Sequence, residues 1–517
     1  RALLDLVAAF GGSWISYHAR VSPDKLALHD LGKGHRLSYA ELDERIGCVA
    51  GMLRDSFGVG HGDRVVMLSR GCFRAFEVMY ACARLGAIFV PLNIRLSDAE
   101  LGVLAGDAEP VVMVGEGDLV SRGIAPGVPT LSWEGDYEQA LARSTAADPV
   151  LADGDDPWVI IYTSGTTGRP KGVVLTHAGS QATMLASLVS GGVTAASVCL
   201  TALPVWHVAG LNLFANPVLF AGGTVLVMPS YDPGLTLELL TRTDAPVTHF
   251  CGVPAHYQFM EALPGFAAAR FPDLFAGAGG SPVPAALVES WARRGVALRT
   301  IYGISEAGST VTMSPPGAVP APGDVGVPMW HLRCRVTDGG RVCGPGEPGE
   351  LRIAGASVTP GYWRRPDATA QAIEDGWLHT GDVAVIGADG HIRIVDRIKD
   401  MYISGGENVY PAEVEEALYH HPAVAEVAVV GVPDQRWGET GAAWVVPAAG
   451  GRADPAEIRD WARTRLAPFK VPRDIHIVGE LPRNATGKVL KASLRSSAEE
   501  AAAKQGTAKD EAASAQY

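Results

Sequence analysis

Short apolar runs alternate along this chain with longer stretches whose apolar positions recur at helical spacing. Arg64–Ser69, Val111–Val114, Trp158–Tyr162, Thr224–Met228 and Val247–Cys251 predict strands. Ser38–Arg54, Phe73–Leu85 and Gly234–Thr241 predict helices between them. Such alternation predicts an α/β fold with largely parallel sheets covered on both faces. From about Gly323 to Ile394 the texture changes to short β runs broken by Gly and Pro. Gly344-Pro345-Gly346-Glu347-Pro348-Gly349 and Gly387-Ala388-Asp389-Gly390 read as turns, so this stretch predicts a small antiparallel β subdomain or barrel. The α/β rhythm resumes with a helix over Tyr410–His420 entered through Pro411, a buried strand over Val424–Val432 and a helix over Pro455–Leu466. A boundary near Lys399 divides the chain into an N-terminal domain, 1–399, and a C-terminal domain, 400–494. The last stretch, 495–517, has almost nothing to bury and reads as a tail.

Composition narrows the class. The 517 residues, 47% hydrophobic and 19% charged, exclude a disordered chain and a coiled coil and predict several domains. A net charge of −13 argues against a nucleic-acid binder, yet a local cluster of backbone N–H groups and lysines can still hold a phosphate. Cys48, Cys72, Cys82, Cys199, Cys251, Cys334 and Cys343 are scattered and form no C-x-x-C, which fits a reducing, cytoplasmic setting rather than a disulfide framework or zinc site. Nothing resembles a signal peptide at the start, and no apolar run approaches the ~18 residues of a membrane span. Monomer and homodimer both stay open.

The strongest local signal is Tyr162-Thr163-Ser164-Gly165-Thr166-Thr167-Gly168-Arg169-Pro170-Lys171-Gly172, set between two β runs. Its glycines let successive N–H groups converge on an oxyanion, and its hydroxyls and cations suit a polyphosphate. It is not a Walker A loop, because the second glycine of that pattern falls on Pro170. A polar hairpin turn is the plain alternative, but turn needs alone do not ask for this density of hydroxyls.

The segment resembles the phosphate loop of the AMP-forming acyl/aryl-CoA synthetases, in the adenylate-forming superfamily that also holds luciferases and peptide-synthetase adenylation domains. Further segments agree in order: Tyr302-Gly303-Ile304-Ser305-Glu306, Gly376-Trp377-Leu378-His379-Thr380-Gly381-Asp382, Asp396-Arg397-Ile398-Lys399-Asp400, Ser404-Gly405-Gly406-Glu407-Asn408, Gly431–Glu439 and Pro482–Lys488. The resemblance spans nearly the whole chain to about Leu494. It implies a large N-terminal domain of two α/β subdomains plus a small β-barrel-like subdomain, and a small, mobile α+β C-terminal domain. It implies an acid–CoA ligase: ATP adenylates a carboxylic acid, pyrophosphate leaves, and CoA displaces AMP. Such phosphoryl chemistry depends on positioning and charge neutralisation.

By the same resemblance, Thr163, Ser164, Gly165, Thr166, Thr167, Gly168 and Lys171 cradle the phosphates, and Glu306 holds Mg²⁺. Ser305 stands where the family usually has Thr and keeps the hydroxyl. Tyr302 stacks on adenine, with Gly279, Gly280, Ser281 and Gly303 lining the nucleotide, while Asp382 and Arg397 take the ribose. Lys488 is the catalytic cation between carboxylate and α-phosphate. Lys399 is the pivot about which the C-terminal domain turns, withdrawing Lys488 and presenting Gly405 and Gly406 as the wall of a CoA tunnel.

Trp206, His207 and Gly210 resemble the aromatic-His element beside the carboxylate. Cys251 and Gly277 fall in segments that look like opposing acyl-pocket walls. No Arg or Lys lies in these segments, which favours an aromatic, alicyclic or aliphatic acid over a dicarboxylate. Two alternatives keep the adenylation step: loading a carrier protein's phosphopantetheine, and a luciferase-like oxygenase. The Ser-Gly-Gly-Glu-Asn version of the tunnel motif leans toward free CoA.

Overall fold

The computed structural model describes residues 13–163, 170–318, 320–397, 400–404, 407–434, 437–448, 453–483 and 489–498. Ser164, Gly165, Thr166, Thr167, Gly168, Lys399, Gly405, Gly406 and Lys488 lie outside the described residues, as does the tail from 499 onward.

Local chemistry delimits the helices. Ser38 and Glu41 form a reciprocal capping box at the head of Tyr39–Phe57, which stops at Gly58 in the left-handed conformation. Phe73–Leu85, where the periodicity places it, is buried along nearly its whole length. Such a helix needs apolar neighbours on all sides, and two sheets supply them. One core joins Val65 and Phe89 of the first sheet, Leu28 and Val225 of the second, and Ile46, Phe76 and Met79 from the helices. The outer sheet faces are covered separately, around Leu104 and Ile160 on one and Phe250, Tyr257 and Trp291 on the other.

The first sheet runs Thr130–Ser132, Val112–Gly115, Arg64–Leu68, Ile88–Pro91, Pro157–Thr163, Lys171–Thr176. Its pairings are parallel until the last, where Pro157–Thr163 and Lys171–Thr176 form an antiparallel hairpin. The connection between them is far below the dozen or so residues a parallel crossover needs. The second sheet has nine strands, and its central run Leu298–Tyr302, Phe275–Gly279, His249–Gly252, Val198–Thr201, Thr224–Val227 is parallel. The strand expected from Val247 begins at His249, because the Thr248 side chain accepts the Val198 N–H.

The expected β region is a six-stranded antiparallel sheet in which Trp377–Ile386 pairs with both Pro348–Gly355 and Ile392–Arg397. The C-terminal part builds a five-stranded sheet around Val424–Asp434 and Gly438–Pro447, with helices Pro411–Tyr419 and Pro455–Arg463. Helix Pro411–Tyr419 has no side-chain cap of its own; Asp396 accepts the Ala412 N–H at 2.9 Å instead. The chain is thus mixed α/β, with a large N-terminal and a small C-terminal domain. Among the described residues no helix is long and apolar enough to cross a membrane.

Candidate active site

The central strands of the second sheet deliver one segment each to the same edge. Val198–Thr201 leads to Trp206 and His207, His249–Gly252 to Val253, Phe275–Gly279 to Gly280 and Ser281, and Leu298–Tyr302 to Gly303, Ser305 and Glu306. The chain leaves Val198–Thr201 for Thr224–Val227 on one side and returns to His249–Gly252 on the other. The crevice beyond the carboxyl ends of strands at such a switch of direction is where open α/β sheets bind ligands.

Two groups of side chains form there. In the first, Tyr302 donates its hydroxyl to Asp382 Oδ2 at 2.5 Å, and Arg397 Nε pairs with Asp382 Oδ1 at 3.2 Å. Strand pairing sets Asp382 opposite Arg397. The Asp382 carboxylate is buried, the guanidinium half exposed. Burial, then the adjacent Asp382, push the Tyr302 phenol well above its usual range, so it stays a donor. The turn before Asp382 is braced from below: Thr380 Oγ1 accepts the Asp382 N–H at 3.1 Å, and Glu350 accepts from Gly381 N–H at 3.2 Å. A carboxylate has about four acceptor positions, and the two side-chain donors leave room for a diol.

The second group centres on Glu306, in the short 3₁₀ turn Ser305–Ala307 with Ser305 buried. Gly303 is required before it, since a Cβ there would lie 1.6 Å from the Ser309 carbonyl oxygen. Tyr362 donates its hydroxyl to Glu306 Oε1 at 3.0 Å. Lys171 Nζ lies 4.9 Å from the centre of the same Tyr362 ring. Thr359 N–H donates to the Glu306 carbonyl at 2.7 Å, and Trp363 N–H to the Gly172 carbonyl at 2.7 Å. Residues 359–363 therefore stitch the hairpin of Pro157–Thr163 and Lys171–Thr176 to the Glu306 turn. Sequence reasoning missed Tyr362 and Thr359: Gly361-Tyr362-Trp363 carries no chemical signal until the fold inserts it there.

Trp206 and His207 stand on the neighbouring strand end. His207 Nδ1 accepts the Ala209 N–H at 3.2 Å, capping the short helix Val208–Asn212, so the neutral ring carries its proton on Nε2. Trp206 is buried, and its indole N–H has no hydrogen-bond partner among the described residues.

The structure adds three facts about the segments that resemble acyl-pocket elements. A Cβ on Gly210 would sit 2.1 Å from the Pro204 carbonyl oxygen, so the glycine lets the helix close on the preceding loop. Cys251 and Gly277 are cross-strand neighbours rather than opposing walls. The Cys251 Sγ lies 2.6 Å from where a Gly277 Cβ would be, and burial holds the thiol well above its usual range, so it is a packing atom. The region also has a buried cation: Arg299, in register with Gly277 on the next strand. It is already engaged, donating to the Ser314 and Ser190 carbonyls at 2.6 and 3.0 Å and lying over the Phe275 ring.

A buried carboxylate with spare acceptors, a second carboxylate near a lysine and a phosphate-type hairpin define a nucleotide-binding enzyme. The AMP-binding enzyme family profile matches residues 15–363, and that of the AMP-binding enzyme C-terminal domain matches 413–488. The chain belongs to this family, among its AMP-forming acid–CoA ligases. It is 40% identical to a feruloyl-CoA synthase of an Amycolatopsis species over 94% of this chain and 98% of that one. It is 35% identical to a 2-succinylbenzoate–CoA ligase of Geobacillus kaustophilus, over 93% and 97%. The crystal structure of ATP-bound MatB from Rhodopseudomonas palustris superposes with a TM-score of 0.86 at 32% identity, covering 94% and 99%.

Proposed function

We propose that this ligase activates an aromatic monocarboxylic acid, with ATP·Mg²⁺ and CoA as co-substrates. The observation that carries the acid class is the character of the strand ends: Trp206, Val208, Cys251 and Ala278 are apolar, and Arg299, the one buried cation nearby among the described residues, is engaged by carbonyls and a ring. A distal carboxylate would meet no available charge, whereas an aromatic ring exchanges water for apolar surface. The relative named feruloyl-CoA synthase, whose acid joins one aromatic ring to one carboxylate, supports the same class.

Asp382 accepts from the ribose hydroxyls, and Arg397 orients the carboxylate for that task. Thr163, Lys171 and the loop residues 164–168 take the β- and γ-phosphates. Glu306 fits a magnesium ion: one oxygen is engaged by Tyr362 and the other accepts no bond from a described residue. Mg²⁺ needs few protein ligands when phosphates and water complete its shell, and it supplies neutralisation of phosphate charge. His207 borders the carboxylate. Lys488 supplies the cation where the acid attacks the α-phosphate, Lys399 the pivot, and Gly405 and Gly406 the CoA passage.

AMP release is the test, measured with free CoA and no carrier protein across hydroxycinnamates, benzoates, arylacetates, 2-succinylbenzoate, malonate and fatty acids. Hydroxycinnamates or other aryl monocarboxylates should give the highest kcat/KM. Preference for a dicarboxylate (malonate or 2-succinylbenzoate) or for a long aliphatic acid would overturn the acid class, and AMP release only with a carrier protein would overturn the acceptor.

A further inference from the structure

Tyr362 lies between the carboxylate and the ammonium group that this site needs at different ends of a triphosphate. Its hydroxyl is 3.0 Å from Glu306 Oε1, and Lys171 Nζ is 4.9 Å from its ring centre. No ion pair joins Lys171 to Glu306, although strand Lys171–Thr176 packs against the Ser305–Ala307 turn. The tyrosine is itself held firmly. Its backbone bridges Val173, its N–H donates to Thr369 Oγ1 at 2.9 Å, and Gly361 before it is at φ 150°, where a Cβ would strike the Thr369 side chain at 2.4 Å.

We infer that Tyr362 is a positioning residue with two tasks: its hydroxyl aims Glu306 at the metal, and its ring keeps Lys171 from neutralising that carboxylate. With no ring between them, a lysine and a glutamate on these two packed segments attract each other. A paired Glu306 offers a metal less charge, and a paired Lys171 offers a phosphate less. Tyr362 accepts the cation on its π face instead, a weaker contact that releases Lys171 when phosphate arrives. A neutral phenol donor leaves the carboxylate's charge intact and fixes its rotamer, leaving Oε2 for the metal.

The inference rests on reading Glu306 as the metal carboxylate, so the experiment tests both. Mn²⁺ binding to the ATP complex, without acid and therefore without turnover, is measured by electron paramagnetic resonance. Wild type is compared with Tyr362→Phe, Tyr362→Ala and Glu306→Gln. Tyr362→Phe keeps the ring and the backbone pairing and should weaken Mn²⁺ about tenfold, the scale of a lost hydrogen bond to a charged group. Tyr362→Ala, which removes the spacer as well, should weaken it further and raise the KM for ATP. Conversion of supplied acyl-adenylate and CoA to thioester should stay at wild-type rate in Tyr362→Phe, with unchanged Tm. Loss of Mn²⁺ affinity in Glu306→Gln but not in Tyr362→Phe overturns the role of Tyr362 and leaves Glu306 standing. Unchanged affinity in all three removes the metal reading of Glu306, and this inference with it. A fall of Tm and of both half-reactions together in Tyr362→Phe makes the residue a scaffold and refutes a positioning role.

Discussion

Asp382 gives the sharpest test of the nucleotide site, because two substitutions separate binding from stability. Asp382 accepts the buried Tyr302 hydroxyl at 2.5 Å and the half-exposed Arg397 at 3.2 Å. In Asp382→Ala the hydroxyl loses its acceptor, at a stability cost of about 1–3 kcal/mol, while freeing the exposed guanidinium adds about 0–1 kcal/mol. Asp382→Asn retains an oxygen for Tyr302 and removes only the charge, so its Tm should stay close to wild type. Both variants lose the charge-assisted bonds to ribose. Each such bond is worth about 1.5–3 kcal/mol, and because the unliganded carboxylate already has partners, a net loss near 2 kcal/mol is reasonable. At about 1.4 kcal/mol per tenfold, the KM for ATP should rise about thirtyfold in both. Pyrophosphate exchange at saturating acid reads KM, and scanning fluorimetry reads Tm. A wild-type KM for ATP in Asp382→Asn would refute the ribose assignment. A raised KM accompanied by an equally lowered Tm in both variants would show that the effect is structural.

Other outcomes follow from the same geometry. Lys488→Ala should abolish pyrophosphate exchange yet still turn supplied acyl-adenylate into thioester; equal loss of both would contradict a role confined to the first step. Gly406→Leu should leave adenylate formation intact and block transfer to CoA, and unchanged thioester output would remove the tunnel. Burial pushes His177, stacked on Trp158, down to about 4. As pH falls the unfolded chain protonates this ring first, so its contribution is whole above the ordinary value near 6.5 and lost progressively toward 4. Tm should therefore fall across that window, and His177→Phe should flatten the fall by one proton's worth, about 1.4 kcal/mol per pH unit; an unchanged slope would show that His177 does not titrate there.

Much of the architecture was legible from pattern alone. Helix Phe73–Leu85 and strand Trp158–Tyr162 were marked by apolar spacing, and the antiparallel region by its Gly-Pro turns, because both signals are local. Composition and spacing also singled out residues 162–172 as a candidate phosphate loop, since few other needs concentrate glycines, hydroxyls and lysine in one turn. Roles for Glu306, Asp382 and Arg397 came from resemblance; taken singly, each is an ordinary turn or strand residue.

Pairing across distant segments was not legible. The antiparallel hairpin at the edge of the first sheet, the adjacency of Cys251 and Gly277, and the placing of Arg299 behind them are facts of register, which no local run of residues encodes. Tyr362 is the clearest instance: it stands 56 residues from Glu306 in the chain, and the bridge to Val173 with the bonds from Thr359 to Glu306 and from Trp363 to Gly172 brings its hydroxyl to that carboxylate. The sequence by itself determined the element types and the chemical groups available, because these depend on residue identity and short-range spacing, and the order of its motifs carried the resemblance that implied the class of reaction. The tertiary structure alone decided which groups share a site and which glycines are there for packing, because distance and orientation arise only when sheets and helices bury their faces together.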